Sequence, residues 1–377
     1  MPRRILGLIR KEFLQILRDR ALIFILIWAF TVAVYTSGHG RAMEVTNVPT
    51  AVYDLSRSPA SREFLSHLQL PYFKTVAYLE SEREITNWLD SGKASIVVVI
   101  PPDFQRRVDG TGTAEIQVII DGAFASSATI AVAYIAAISG SYSVSVLEHR
   151  AGAAGLSLSS VPQVDERVRV KFNPNMSSTW FSGLLELLNM LTMVSLLLTA
   201  ADLVREKEHN TLEQLLVTPA RPLEIFIAKI IPTIIVVLGL STLSFFLVLK
   251  PAFHLPIRGS LFLFYSVAAL HVFAMTSMGI AIAVVARNLA QAMMIMILIL
   301  QPMLFLSGAW NPPEAMIPWM RALSYISPMR YFIDFGYGVI LKGSNFAVVV
   351  WDIVGILLFG ITLMSFSLWW FRRSLAH

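Results

Sequence analysis

Cysteine is absent from the 377 residues, which excludes disulfides, thiol catalysis and thiolate metal sites together. Charge is scarce as well: Asp, Glu, Lys and Arg make up 15% of the chain against 55% hydrophobic residues. With a mean hydropathy of +0.64, that balance is too apolar for a water-soluble globule of this length. Catalytic patterns are missing too. The histidines stand at 39, 67, 149, 209, 254, 271 and 377, none in a His-Glu-x-x-His arrangement or at paired metal-ligand spacing. No Gly-x-Ser-x-Gly elbow is present. The phosphate-binding pattern Gly-x-x-x-x-Gly-Lys-Ser/Thr is absent; its near match, Ser91-Gly92-Lys93, has Asn87 where the first glycine belongs and Ala94 after the lysine, and reads as a helix stop. No fixed-period repeat, low-complexity tract or basic patch interleaved with aromatics occurs, so nucleic acid is set aside as a partner. The formal charge of +5 instead fits lysine and arginine flanking membrane spans.

A helix needs about 20 mostly apolar residues to cross the hydrocarbon core of a bilayer. Six segments pass: Ala21 to Gly38, Ser178 to Val204, Leu223 to Leu249, Ser260 to Ala286, Leu289 to Leu306 and Phe346 to Phe371. Six crossings put both termini on one side. Arg3, Arg4, Arg10, Lys11, Arg18 and Arg20 precede the first span, and Arg205, Lys207, Arg221, Arg287, Arg372 and Arg373 fall in the other segments of the same side. The short loops opposite carry only Lys250, Arg258, Arg321, Arg330 and Lys342, so that first side is cytoplasmic by the positive-inside rule. Residues 372–377 then form a cytoplasmic tail. Ala123 to Leu147 is also uncharged and long enough to cross. It is serine-rich, with Leu147 its one leucine and no phenylalanine after Phe124, and a seventh crossing would export Arg205, Arg221, Arg372 and Arg373, so it reads as a long helix of a soluble domain.

That domain occupies residues 39–177, on the outer side. TAVYDL, FKTVAYL, ASIVVVI and AEIQVII read as strands, with VDERVRVKF a candidate fifth. Between them, Ser58 before Pro59 marks one helix start, and Ser81 with Glu84, spaced as a capping box, marks another that Gly92 stops. Strands alternating with helices imply a small α/β layer domain. Asp54, Asp103 and Asp121 end the expected strands, where catalytic carboxylates can sit; turns favour aspartate at the same places, and the turn reading is preferred.

Two charged segments on the inner side stand out. In residues 1–20, Ile5, Leu6, Leu8, Ile9, Phe13, Leu14, Ile16 and Leu17 recur at helical spacing, giving an amphipathic interface helix or a plain basic anchor. In the loop 205–222, Asn210 with Glu213 or Thr211 with Gln214 is spaced as a capping box, and Pro219 and Pro222 end the helix after roughly two turns. Leu212, Leu215 and Leu216 would share one face. A helix that short is marginal alone, so it packs either on a protein partner or against the chain's own spans.

REKEHNTLEQLLVTPARPLEI, together with IRKEFLQILRDR, resembles the permeases of ABC-2 type exporters, and FLSGAWNPPEAMIPWMRALSYISPMRYF resembles the outer segment of the same family between its fifth and sixth spans. AVYDLSRSPASREFL and IPPDF are similar to the bacterial subgroup with a large periplasmic insertion after the first span. The resemblance covers essentially the whole chain. It implies an α-helical polytopic protein of the bacterial inner membrane with six transmembrane helices and an inserted periplasmic α/β domain. It also implies a coupling helix seated in a separate ATP-hydrolysing subunit, with Glu206, Thr211, Leu212, Glu213, Leu215, Leu216, Thr218 and Pro219 on that segment and Arg10, Lys11, Glu12, Arg18 and Asp19 on the interface helix. ATP and Mg would be bound by that partner, with no cofactor on this chain, and a second permease copy, identical or similar, would complete the pathway.

Ionisable and polar groups at membrane depth are candidates for a substrate route. Glu186, Asn189, His271 and Gln301 qualify, Gln301 preceding Pro302. The plainer reading takes Glu186 to water at the outer interface and gives His271 a hydrogen bond to a neighbouring helix. Lys229, in the first turns of the third span, is expected to snorkel to the inner surface. In the outer re-entrant segment 307–345, four prolines with Trp310, Trp319, Tyr325 and Tyr331 suggest short broken helices, serving as a gate or an aromatic belt. The competing functions are a non-transporting sensor or assembly protein with a periplasmic ligand-binding domain, and a membrane-embedded hydrolase. A neighbouring gene for a nucleotide-binding protein favours export; one for a periplasmic adaptor points to an outer-membrane channel as a further partner.

Overall fold

The computed structural model describes residues 2–40, 47–110, 112–120, 125–153, 177–209, 222–309, 313 and 316–374. The chain divides into two units, Met1–Ala42 with Val170–His377, and Met43–Arg169. In the first, helix α1 (Pro2–Arg18) stops where Asp19 turns extended. The Asp19 carboxylate accepts the N–H of Leu22, 3.0 Å away, and so caps α2 (Arg20–Trp28). A π turn, Ala29–Ala33, leads on into α3 (Val34–Gly40).

The second unit alternates β1 (Val48–Asp54), α4 (Pro59–Ser66), β2 (Phe73–Tyr78), α5 (Glu82–Asp90), β3 (Ile96–Ile100), α6 (Phe104–Asp109), β4 (Gln117–Ile120) and α7 (Ala125–Ala153). The sheet order is β2-β1-β3-β4, with β1 parallel to β2 and β3, and β4 antiparallel to β3. Because strand side chains alternate, Ile96, Val98 and Ile100 face a core with Phe64, Phe104 and the α7 residues Ala131, Ile135 and Tyr142. Val97 and Ala51 face the opposite side with Ile85 and Leu79. The stretch read as a soluble-domain helix thus forms α7 and packs on this core. The candidate fifth strand lies outside the described residues.

Ser58 caps α4 as expected, and Ser61 returns the bond by accepting the Ser58 N–H at 3.0 Å. The capping box expected at Ser81 does not form: the Ser81 hydroxyl donates to Glu84 Oε1 at 2.8 Å instead of accepting a backbone N–H of α5, and Glu84 Oε2 accepts the N–H of Glu80, at 3.5 Å, rather than that of Ser81. Gly92 does stop α5, in the left-handed region at φ +66°. Asp54 behaves as a turn former, its Oδ1 accepting the N–H groups of Ser56 and Arg57. Asp103 pairs with Arg107 one turn on, at 2.6 Å, while Asp121 is outside the described residues.

The first unit continues with α8 (Ser178–Glu208), α9 (Pro222–Ser244), α10 (Leu261–Val285), α11 (Leu289–Leu306), α12 (Pro318–Ser324), α13 (Pro328–Gly336) and α14 (Phe346–Ser374). Among the described residues, seven stretches are helical, long and apolar enough to cross a membrane: Arg20–His39, Ile130–Gly152, Ser178–Glu208, Pro222–Leu249, Leu261–Val285, Leu289–Leu306 and Phe346–Arg373. Six match the spans expected from sequence to within a few residues, and Ile130–Gly152 belongs to α7. Helices α8 and α10 form the centre of the bundle, and α12 and α13 supply the short helices expected in segment 307–345. Trp310 lies outside the described residues. The Arg330 guanidinium sits 4.0 Å from the Tyr325 ring centroid and donates to the Ser324 hydroxyl.

Close approach of α8 and α10 depends on Gly279. A Cβ there would stand 2.8 Å from the Leu196 carbonyl oxygen and 3.2 Å from the Ala200 nitrogen, both backbone atoms that side-chain motion cannot clear. Gly279→Val should therefore destabilise the protein by about 1–3 kcal/mol. Gly239→Val, at a position with nothing within 4 Å of an added Cβ, should leave stability unchanged or slightly raised, since valine is a better helix former than glycine. Denaturant midpoints in detergent check the pair.

Candidate functional site: a buried ion cluster at the root of the loop 209–221

The first turns of α9 place Lys229 inside the bundle, 3% exposed, where the sequence reading sent it to the surface. Its Nζ lies 2.5 Å from Asp202 Oδ2, 2.9 Å from Glu206 Oε2 and 3.2 Å from Glu12 Oε2. The correction has a simple cause: carboxylates from α1 and from the last turns of α8 meet Lys229 at one level, and a paired ammonium need not reach water. Lys11 completes the group, its Nζ 2.5 Å from Glu206 Oε1 and 3.2 Å from Glu12 Oε1. Gln15 Nε2 donates to Asp202 Oδ1 at 2.7 Å. Oxygens of Glu12, Asp202 and Glu206 lie within 4.8 Å of one another, close enough to hold a metal ion, but Lys229 sits against all three and supplies the positive charge itself. Burial, opposed by Lys229 and reinforced by Asp202 and Glu206, pushes the Glu12 carboxyl up to about 7.

The same turn of α8 also holds the next two helices. Lys207 Nζ donates to the carbonyls of Val284 and Ala286, at 3.2 and 2.8 Å, which caps the C-terminal end of α10. Glu208 Oε1 accepts the N–H of Leu289 at 2.8 Å, at the start of α11, where Asn288 is the N-cap. Residues 206–208 are thus bonded to α1, α9, α10 and α11, immediately before the loop. A cavity of about 350 Å³ opens beside the cluster, with apolar walls from Leu22, Leu26, Leu197 and Met293 and with Glu12, Asp202 and Lys229 in its lining.

Of the coupling residues expected from sequence, Glu206 is buried in this cluster; Thr211, Leu212, Glu213, Leu215, Leu216, Thr218 and Pro219 lie outside the described residues. On α1, Arg10, Lys11 and Arg18 are exposed, whereas Glu12 turns inward and Asp19 caps α2. Among the intramembrane polar groups, Glu186 accepts from the Ser37 hydroxyl at 3.2 Å. His271 is fully buried, with Nε2 2.8 Å from Thr192 Oγ1 and its ring stacked 3.9 Å from Phe332. Asn189 is buried one turn before Thr192 on α8, and Gln301 is exposed on α11, which runs unbroken through Pro302. Glu186, Asn189 and the Thr192–His271 pair therefore follow one line of α8, which Gln301 does not join. Asp202, which sequence reasoning passed over, was signalled only by an acid and a base at the same end of two successive spans.

Removing one partner of a buried ion pair strands the others, so Lys229→Met should destabilise the protein by about 3–5 kcal/mol. Adding Glu12→Gln and Glu206→Gln should recover much of that loss, because the buried charge is removed with its partners. Denaturant unfolding in detergent reads both. Glu12 gives a pH signature: between its ordinary value of 4.5 and about 7 the folded chain holds a proton that the unfolded chain has released. Stability is therefore greatest below the lower value, falls as pH rises through the window and levels off above it. Glu12→Gln should flatten that slope in midpoints measured from pH 4.5 to 8.

Residues 21–369 match the family model described as ABC-2 family transporter protein. The chain is 32% identical over 374 residues to the inner membrane transport permease YhhJ of Escherichia coli K12, covering 99% of this chain and 98% of that one. It is 31% identical over 377 residues to the probable multidrug ABC transporter permease YbhR of the same organism, covering 99% and 100%. With the probable multidrug ABC transporter permease YbhS it shares 27% identity over 374 residues, 99% and 97% of the two chains. A single family model spanning nearly the whole chain and relatives matched end to end place it without ambiguity: the chain belongs to the ABC-2 family of transporter proteins.

Proposed function

We propose that this chain is the membrane subunit of an ATP-driven exporter, transmitting nucleotide-driven motion from a separate ATPase subunit to a route across the bacterial inner membrane. ATP and Mg belong to that partner; this chain has no phosphate-binding loop and is not itself an enzyme. Six helices cross, α7 remains with the α/β unit on the periplasmic side, and both termini are cytoplasmic, in keeping with the distribution of lysine and arginine. Two permease copies, identical or similar, form the route at their interface. The names of the full-length relatives support the permease role.

The observation that carries the reading is the anchoring of α8. The loop 209–221 begins where residues 206–208 are bonded to α1, α9, α10 and α11, so a push on that loop reaches four helices through short polar contacts. A lever needs such a rigid root, since a loop attached only through its own backbone would yield locally instead of tilting spans. Leu212, Leu215 and Leu216, which lie outside the described residues, are the residues proposed to dock in the ATPase, and the exposed Arg10 and Arg18 of α1 would meet the same subunit.

Two measurements test this. Leu215→Asp should weaken co-purification with the ATPase about tenfold, the order expected for replacing one buried leucine in an interface, and abolish stimulated hydrolysis while membrane insertion is unchanged. Unchanged capture and stimulation would remove the docking role. Because the chain has no cysteine, Asn210→Cys introduces a unique label site. It should resist a membrane-impermeant maleimide in intact cells and react after permeabilisation.

A further inference from the structure

A second cavity, of mixed polar and apolar lining, lies within the α/β unit, between α4, α6, α7 and the segment before β4. Its volume is about 270 Å³. Phe64, Phe104, Val108, Ile116 and Val146 give it apolar walls, and Arg107 and Arg150 contribute the cations in its lining. The two arginines differ. Arg107 is already committed to Asp103 at 2.6 Å, with Glu115 4.0 Å away. Arg150, in the last turn of α7, donates through Nη1 to the Gly110 carbonyl at 2.7 Å, while its Nη2 is buried with no acceptor. No carboxylate among the described residues lies within ion-pair distance of it; the nearby Asp109 accepts from Gln105 Nε2 instead. A buried guanidinium donor without an acceptor is costly, and the natural complement of its planar fork is a carboxylate.

We infer that the α/β unit carries a binding site for a small monoanionic amphiphile, a carboxylate on a compact apolar body, with Arg150 taking the carboxylate. One uncommitted cation calls for one negative charge, which disfavours a phosphate dianion. The apolar part of the wall, Phe64, Phe104, Val108, Ile116 and Val146, calls for an alkyl or aromatic body. The Ser139 and Ser143 hydroxyls, both in the lining, donate to main-chain carbonyls of α7 and retain acceptor capacity only, so they add no second anion site. A bound ligand would join α7 to the end of α6 through the same guanidinium that grips Gly110. The site stands apart from the transport reading, which neither requires nor predicts it.

The test uses the full chain in nanodiscs of zwitterionic lipid, with 3-phenylpropionate as probe and 3-phenylpropan-1-ol as its uncharged counterpart. Saturation-transfer NMR, after subtraction of empty nanodiscs, reads binding. The carboxylate should bind and the alcohol should bind at least about tenfold more weakly, the charged hydrogen bonds supplying the difference. Arg150→Met should abolish carboxylate binding, and Val146→Trp, which keeps the arginine and fills the cavity, should abolish it as well. Should Arg150→Met fail to fold, Val146→Trp decides alone. Absence of carboxylate binding at millimolar concentration, equal binding of the alcohol, or binding that survives Val146→Trp would each overturn the proposal.

Discussion

Lys229 carries a charge into the interior of a helical bundle, and the end of the bundle where α1 meets α8 and α9 is organised around keeping that charge matched. An ammonium buried alone would cost several kcal/mol. Three carboxylates surround it, and two of them come from the last turns of α8 while the third comes from α1. None of the three is free to leave, because each is itself buried or bonded to Lys11 or Gln15. The consequence is mechanical. An N-terminal helix that would otherwise lie loosely at a membrane surface is fixed to the second and third long helices by electrostatics in a low-dielectric place, where such contacts are strong and directional.

The cluster also decides which charges remain available to a partner. Glu12 and Glu206, both of which the family resemblance would send toward an ATPase, are spent inside the chain. Arg10 and Arg18 stay on the exposed side of α1, so the charge offered there is basic, whereas Lys11, though partly exposed, is paired with Glu206 and Glu12. Immediately after Glu206, Lys207 and Glu208 hold opposite ends of two further helices, each using the helix terminus suited to its charge: a cation on the carbonyls that end α10, an anion on an N–H that begins α11. Four helices thus converge on three consecutive residues.

Features set by local sequence were legible without a structure. The long apolar runs, the stop at Gly92 and the Ser58 cap all follow from residues a few positions apart. Features set by distant pairing were not. Glu12 and Lys229 are 217 residues apart, and nothing in the neighbourhood of Lys229 distinguishes a paired lysine from one that snorkels. Ser81 and Glu84 show the same limit at short range: their spacing satisfied a capping box, but a direct bond between the two side chains won. Of the ion cluster, the sequence singled out Lys11, Glu12 and Glu206, while the roles of Asp202, Lys207 and Glu208 depended on which helices pack beside the end of α8.

The central claim is that Lys229 fixes α1 to the spans. Since the chain has no native cysteine, spin labels at Leu6→Cys on α1 and Arg287→Cys between α10 and α11 can be placed without further engineering. Pulsed electron–electron distance measurements on the labelled protein in nanodiscs should give one narrow distribution, and the same pair carrying Lys229→Met should give a broad one as α1 comes away. An unchanged narrow distribution in the Lys229→Met background would contradict the claim.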